Sequence, residues 1–184
     1  MSRLLLFRHA KSSWTETALT DFDRPLAQRG LRAAPMMGQY MQANDLLPDR
    51  ILCSSALRTR ETLAAILPFM RKDMTIELLR EIYDALDDDY RDIIAAHAGQ
   101  AETLMVIGHN PVIHDTALAL VCDGDPGALQ HLREGFPTAA LAVIEFKAPT
   151  AGALEPGSGH LTAFIKPREL EAMLAEHGVA LSQN

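Results

Sequence analysis

Cysteine is scarce in this sequence, with only Cys53 and Cys122 among 184 residues, each within an apolar stretch. Two thiols cannot staple a small fold in the secreted manner, and they suit a reducing compartment. Basic residues are also in deficit: 17 Lys and Arg face 24 Asp and Glu, for a net charge of -7. That balance argues against a general attraction to nucleic acid or to an anionic membrane, because both need an extended basic surface. No apolar run reaches the ~20 residues of a membrane-spanning helix. Leu4-Leu5-Leu6-Phe7 is too short for the apolar core of a signal peptide. The expected location is therefore the cytoplasm. Repeats, low-complexity tracts and linkers are missing as well, and 48% hydrophobic content is enough for one sizeable core. One domain over residues 1–184 is expected.

Metal-ligand spacing is a further absence. His97, His114, His131, His160 and His177 share no pattern, and His109 and His114 are five apart, which removes them from a common helical face. Asp87-Asp88-Asp89 lacks the alternating ligands and the turn glycine of a calcium loop and is expected to be a solvated segment. No metal and no cofactor are expected. Aromatics make up 5% of the chain, and the one tryptophan, Trp14, is either an exposed loop anchor that contacts substrate or a plug for the apolar interior, with packing the expectation.

What is present alternates between short apolar runs and amphipathic segments. Leu4 to Phe7, Arg50 to Ser54, Thr75 to Leu79 and Thr103 to Gly108 read as strands. Helices are expected from Leu26 to about Asn44, from Leu57 to about Arg71 with Pro68 bending or ending it, from Tyr90 to His97, and from about Pro111 to Val121. Ala139 to Phe146 and His160 to Ile165, separated by a stretch with Pro149, Gly152, Pro156, Gly157 and Gly159, suggest a hairpin at the sheet's edge with a mobile loop. A terminal helix opens at Pro167, with Leu170, Met173 and Leu174 on one face. The fold class is α/β: a three-layer α/β/α sandwich around a mostly parallel sheet.

Ligands of such sheets sit beyond the carboxyl ends of the strands. Three of those positions carry arginine or imidazole: Arg8-His9 after the first strand, Arg58 at the helix after the second, and His109 after Thr103 to Gly108. Guanidinium forks match phosphate oxygens, and an imidazole supplies either a nucleophilic nitrogen or a donor to developing charge. In an acidic chain such a concentration of positive charge marks an anion pocket. A histidine that attacks phosphorus divides hydrolysis into two transfers, and arginines neutralise the equatorial oxygens in both, so no metal is required if these four side chains balance the charge.

Phe7-Arg8-His9-Ala10-Lys11-Ser12, Asp23-Arg24-Pro25-Leu26 with Arg29-Gly30, Ser54-Ser55 through Arg58 to Thr62, and Gly108-His109-Asn110-Pro111 occur in that order. Together they resemble the histidine phosphatase superfamily, and within it the SixA-like phosphohistidine phosphatases. The resemblance implies that His9 becomes phosphorylated, that Arg8 and Arg58 bind the phosphoryl oxygens, and that His109 hydrogen-bonds the same group. Glu81 stands where the family's general acid falls, with Asp84 as the second candidate. A leaving imidazole needs less help than an alkoxide, so the acid is expected to matter less for a phosphohistidine. Ala10 replaces the superfamily's glycine, and Ala27 stands where relatives often carry a capping threonine. The expected substrate is a phosphorylated histidine protein. The alternatives are a phosphatase or mutase acting on a small phosphorylated metabolite, and a phosphate-binding module without chemistry. Ser12 is expected to touch the substrate, with Lys11, Ser13 and Arg24 as possible further contacts. Cys53 lies within an apolar strand and lacks the loop of cysteine-based phosphatases, so it is assigned to the core.

Overall fold

Arg3–Arg8 forms the first strand, β1, because its apolar run serves both sides of the pleat. Leu4 and Leu6 enter one core while Leu5 and Phe7 enter another, and all four are fully buried. Each stabilises the fold by about 2 kcal/mol through burial. The same division holds in β2 (Arg50–Ser54) and β4 (Thr103–Gly108), where Leu52, Leu104 and Val106 face the first core and Ile51, Cys53, Met105 and Ile107 the second. The computed structural model describes residues 1–14, 19–71, 73–85, 90–147 and 154–176. Asp87-Asp88-Asp89, His177, Pro149 and Gly152 lie outside the described residues.

The sheet has seven strands in the order β3-β2-β4-β1-β6-β7-β5, with β3 at Thr75–Leu79, β5 at Val121–Gly124, β6 at Leu141–Phe146 and β7 at Gly159–Ile165. Four of its six neighbouring pairs are parallel; β6 runs antiparallel to both β1 and β7. Helices α1 (Gln28–Ala43), α2 (Leu57–Ile66) and α7 (Pro167–Glu176) bury Met37, Met41, Ile66 and Leu170 in the second core. Helices α3 (Arg80–Asp84), α4 (Arg91–His97), α5 (Val112–Leu120) and α6 (Pro126–Glu134) bury Ile82, Ile94, Ile113 and Leu132 in the first. Helices therefore cover both faces of the sheet.

Three features differ from the sequence expectation. The β6-β7 hairpin is not the sheet's edge, since β5 pairs with β7 on its outer side. β5 was concealed in Val-Cys-Asp-Gly, too short and too polar to register as a strand, and it leaves Cys122 exposed. Helix α6 follows at once: the Asp125 carboxylate accepts from the Ala128 N–H and Pro126 occupies the first turn, a start signal that the surrounding short segments obscured. Met173 is exposed although Leu170 on the same helix is buried. α2 ends at Ile66 and continues as a single 3-10 turn, Leu67–Phe69, where Pro68 lacks the amide needed to extend the helix.

Candidate active site

The sheet order makes β2, β4 and β1 adjacent and parallel, so the segments that follow their carboxyl ends converge. Arg8, His9, Arg58 and His109 meet there, and the His9 and His109 rings lie 5.1 Å apart between centroids. The backbone N–H of His9 donates to the Gly108 carbonyl at 3.1 Å, which ties the two histidine segments together.

His9 is 6% exposed, and its Nδ1 lies 2.7 Å from the carbonyl oxygen of Ala10. A carbonyl only accepts, so Nδ1 carries the proton and Nε2 keeps its lone pair. Burial, reinforced by the Arg58, Arg8 and Arg24 charges and only partly offset by the Ala10 bond, pushes the His9 pKa down to about 3. His9 is thus a neutral imidazole with one available nitrogen. The loop after it is held from α2: the Ala10 N–H donates to the Thr62 hydroxyl, which donates to the Arg58 carbonyl.

Arg58 sits in the first turn of α2 and is buried rather than solvated, at 5% exposure. It donates from Nη1 to the Asp21 carbonyl at 2.6 Å and from Nη2 to the Asp21 carboxylate at 3.1 Å. That carboxylate also accepts from the Tyr83 hydroxyl at 3.1 Å and pairs with Arg24. Burial opposes its ionisation, yet Arg58, the Tyr83 bond and Arg24 outweigh it and hold the Asp21 carboxyl below the usual range. Arg8 donates to the Phe136 carbonyl at 2.6 Å, and Asn110 donates to the same oxygen at 3.0 Å.

His109 receives its position from two groups. Its backbone N–H donates to the Tyr90 hydroxyl at 3.0 Å, and its Nε2 lies 2.7 Å from the Ser54 hydroxyl. Tyr90 packs so closely that a Cβ on Gly108 would stand 2.6 Å from its ring, so glycine at the end of β4 is what lets the hydroxyl reach. Burial first, then His9 and the arginines, lowers the His109 pKa to about 2.

Among the described residues, five buried nitrogens here, Arg8 Nε, Arg24 Nε and Nη1, Arg58 Nε and His109 Nδ1, have no hydrogen-bond partner, Arg24 Nε only pairing with the Asp21 carboxylate. Unsatisfied buried donors are costly, and an oxyanion with several acceptors is the chemistry that satisfies them together. Arg58 and His109 line a cleft of about 540 Å³ with Asp21, Tyr83, Asp84 and Asn110. Asn110 also borders a second opening of about 440 Å³, lined by Arg8, Glu134, Phe136 and Lys166.

The family model for the histidine phosphatase superfamily (branch 1) matches residues 4–84. An uncharacterized protein of Mycobacterium tuberculosis is 34% identical over 163 residues, covering 88% of this chain and 99% of that one. The structure of a protein provisionally named phosphohistidine phosphatase SixA, from Agrobacterium tumefaciens, superimposes with a TM-score of 0.73 at 30% identity over 90% of this chain and 99% of that one. This chain belongs to the histidine phosphatase superfamily, in its SixA-like branch. A second SixA structure, a protein histidine phosphatase complexed with tungstate, shares the fold with a TM-score of 0.68 at 21% identity, over 91% of this chain and 99% of that one.

Against the family pattern, the sequence candidates divide. Arg8, His9, Arg58 and His109 are together. Asp84 lines the cleft, its carboxylate accepting from Arg80 Nε at 3.0 Å. Glu81 is absent from the described lining of either opening; its carboxylate lies 2.6 Å from His97 Nε2. Ser12 is buried in a bridge with Leu26 and also lines neither opening. Trp14 is no interior plug: it is 70% exposed, and the Arg24 guanidinium stacks 3.4 Å from its ring centroid. A tryptophan beside a buried arginine gains more from that face-on contact than the single indole in a polar loop suggests. Asp21, Ser54, Tyr83, Tyr90 and the Phe136 carbonyl were not singled out from sequence. Only Ser54 had a signal, at the end of a strand that enters the site. No helix among the described residues is long and apolar enough to cross a membrane.

Proposed function

We propose that this protein removes a phosphoryl group from a phosphohistidine on another protein by way of a covalent intermediate on His9. The observation that carries the reading is the His9 tautomer: Nδ1–H is bound to the Ala10 carbonyl, which leaves Nε2 as the nucleophile among the partnerless donors. In the first transfer, the Nε2 lone pair forms a bond to phosphorus and the bond to the leaving group breaks. Arg8, Arg24 and Arg58 neutralise the phosphoryl oxygens. With the Ser54 hydroxyl donating to His109 Nε2, the His109 proton resides on Nδ1 and points a further donor at the same group. In the second transfer, water attacks phosphorus, the bonding pair returns to Nε2, and the water proton leaves with phosphate or solvent.

A protein substrate is favoured because two openings share Asn110, one lined by Arg58 and the other by Arg8. A side chain presented by a partner enters such a cleft without being enclosed. Parallel turnover of a phosphohistidine protein and a panel of sugar phosphates tests this, with His9→Ala as control and EDTA present. Turnover confined to the phosphohistidine protein, lost in the variant and indifferent to EDTA, is expected. Activity confined to sugar phosphates, or surviving in His9→Ala, refutes the proposal.

A further inference from the structure

The proposed chemistry leaves one half of the reaction undefined, the departure of the leaving group. Glu81 lies one turn before Asp84, the last residue of α3, and its C-cap Ala85, and both of those residues line the cleft. Helical spacing therefore puts Glu81 on the side of α3 from which a carboxyl would approach a leaving group. It is instead held by His97, the last residue of α4. His97 Nε2 lies 2.6 Å from the Glu81 carboxylate, and His97 Nδ1 lies 2.9 Å from that of Glu77 on β3. Arg50, on β2, pairs with Glu77 and donates to the His97 carbonyl at 3.2 Å. A chain of polar contacts from the sheet thus fixes the imidazole that holds Glu81.

The other carboxylates of the cleft are engaged as well. Asp84 accepts from Arg80 Nε through both oxygens, at 3.0 and 3.1 Å, and Asp21 accepts from Arg58 and Tyr83. Among the described residues, each carboxylate lining the cleft thus already accepts from an arginine, and against the opposing effect of burial Arg58, Tyr83 and Arg24 hold the Asp21 carboxyl below its usual range, where it is not a proton donor.

We infer that His97 is a positioning residue that withholds Glu81 from the cleft and so restricts this phosphatase to substrates whose leaving group departs without a proton, the N-phosphoryl class. This rests on His9 being the nucleophile. The electron balance explains the restriction. When the P–N bond of a phosphoimidazole breaks, its pair goes to the departing nitrogen; a proton already on the other ring nitrogen makes the product neutral imidazole. When the P–O bond of an alkyl phosphate breaks, the pair leaves an alkoxide, which needs a proton from a donor that none of the described carboxylates of the cleft presents.

The test compares turnover of N-phosphorylimidazole, substituted phenyl phosphates of graded leaving-group pKa, and glycerol phosphate by the intact protein, Glu81→Gln, His97→Ala, and the double variant. The intact protein is expected to turn over the N-phosphoryl substrate at least about 10³-fold faster than glycerol phosphate, within the range a general acid supplies. Glu81→Gln should change every rate by less than about twofold, as expected of a carboxyl that takes no part in the proton transfer. His97→Ala should raise glycerol phosphate turnover by about tenfold or more while leaving the N-phosphoryl rate nearly unchanged, and the double variant should lose that gain. A merely structural role for His97 would lower all rates alike, and that result overturns the inference. So does an unchanged ratio in His97→Ala, or a Glu81→Gln variant that selectively loses the poor leaving groups. Turnover that persists in His9→Ala is a different failure, because it removes the nucleophile on which both proposals depend.

Discussion

The two sides of the cleft are built differently. The phosphate side uses residues at the ends of central strands and in the first turn of α2; His9, Arg58 and Arg24 are all under a tenth exposed, and their neighbours are fixed by the backbone. The leaving-group side uses α3, five residues long, whose Glu81 and Asp84 are half exposed and tied by side-chain ion pairs. Backbone-fixed groups in a dry site are preorganised and act strongly, whereas a single exposed ion pair contributes about 0–1 kcal/mol and side chains are held only through a network such as Arg50, Glu77, His97 and Glu81, which one substitution can open. The common chemistry of phosphoryl transfer therefore resides in the rigid side, and substrate choice in the adjustable one.

The largest effect that sharpens this contrast is expected from His9→Ala. Removing the nucleophile should lower kcat by about 10⁴-fold or more and abolish phosphoenzyme trapped by acid quench. A trapped phosphoenzyme in that variant would move the nucleophile elsewhere. Next is Arg58→Ala, which removes a charge from the phosphoryl oxygens and leaves the half-exposed Asp21 carboxylate with Tyr83 and Arg24 alone; a loss in kcat/KM of about 10²–10³-fold is expected. Asp21→Asn keeps the shape but loosens Arg58 and Arg24, and should cost about tenfold, read in the same assay. If Asp21→Asn equals Arg58→Ala, the carboxylate is doing more than holding the arginine.

How much of this was legible in the sequence follows the same division. Leu4-Leu5-Leu6-Phe7 and Thr103 to Gly108 announce strands because both faces of each are buried, and once the strands are read, His9, Arg58 and His109 fall at their ends. The partners do not follow. Asp21 reaches Arg58 across 37 residues and Tyr90 reaches His109 across 19, through tertiary contacts without a local period. Glu81 shows the converse: its place along the chain was legible, but the direction of its carboxylate depends on His97, sixteen positions on, in another helix. β5 was missed for a third reason, since four residues of a polar edge strand carry too little pattern.

A pH series tests the dry character of the phosphate side. His9 and His109 have pKa values of about 3 and about 2 in the folded protein, below the ~6.5 of an unfolded histidine. Between those limits the unfolded chain binds protons that the folded one refuses. Stability is therefore fully present above about pH 6.5 and is lost as the pH falls toward 3, with a slope on the order of 1 kcal/mol per pH unit for each group. Denaturant unfolding from pH 7 to pH 4.5 measures it, and His9→Ala should flatten the slope. Activity should persist below pH 6, because His9 remains neutral; an acidic limb centred near 6.5 would mean that water reaches the imidazole.

The smallest effect is expected at the rim. Trp14 lies over Arg24, whose other edge pairs with Asp21 behind Arg58, so the indole shields a phosphate-side cation from solvent. A cation-aromatic contact at an exposed ring contributes about 0.5–1 kcal/mol. Trp14→Ala should accordingly raise KM by about two- to fivefold and leave kcat nearly unchanged, because Arg24 keeps its carboxylate partner and only its cover is lost. Trp14→Phe should restore most of the difference. If both variants lower kcat instead, Trp14 holds Arg24 in its reactive place, and the boundary between the rigid and adjustable sides of the cleft moves outward to include it.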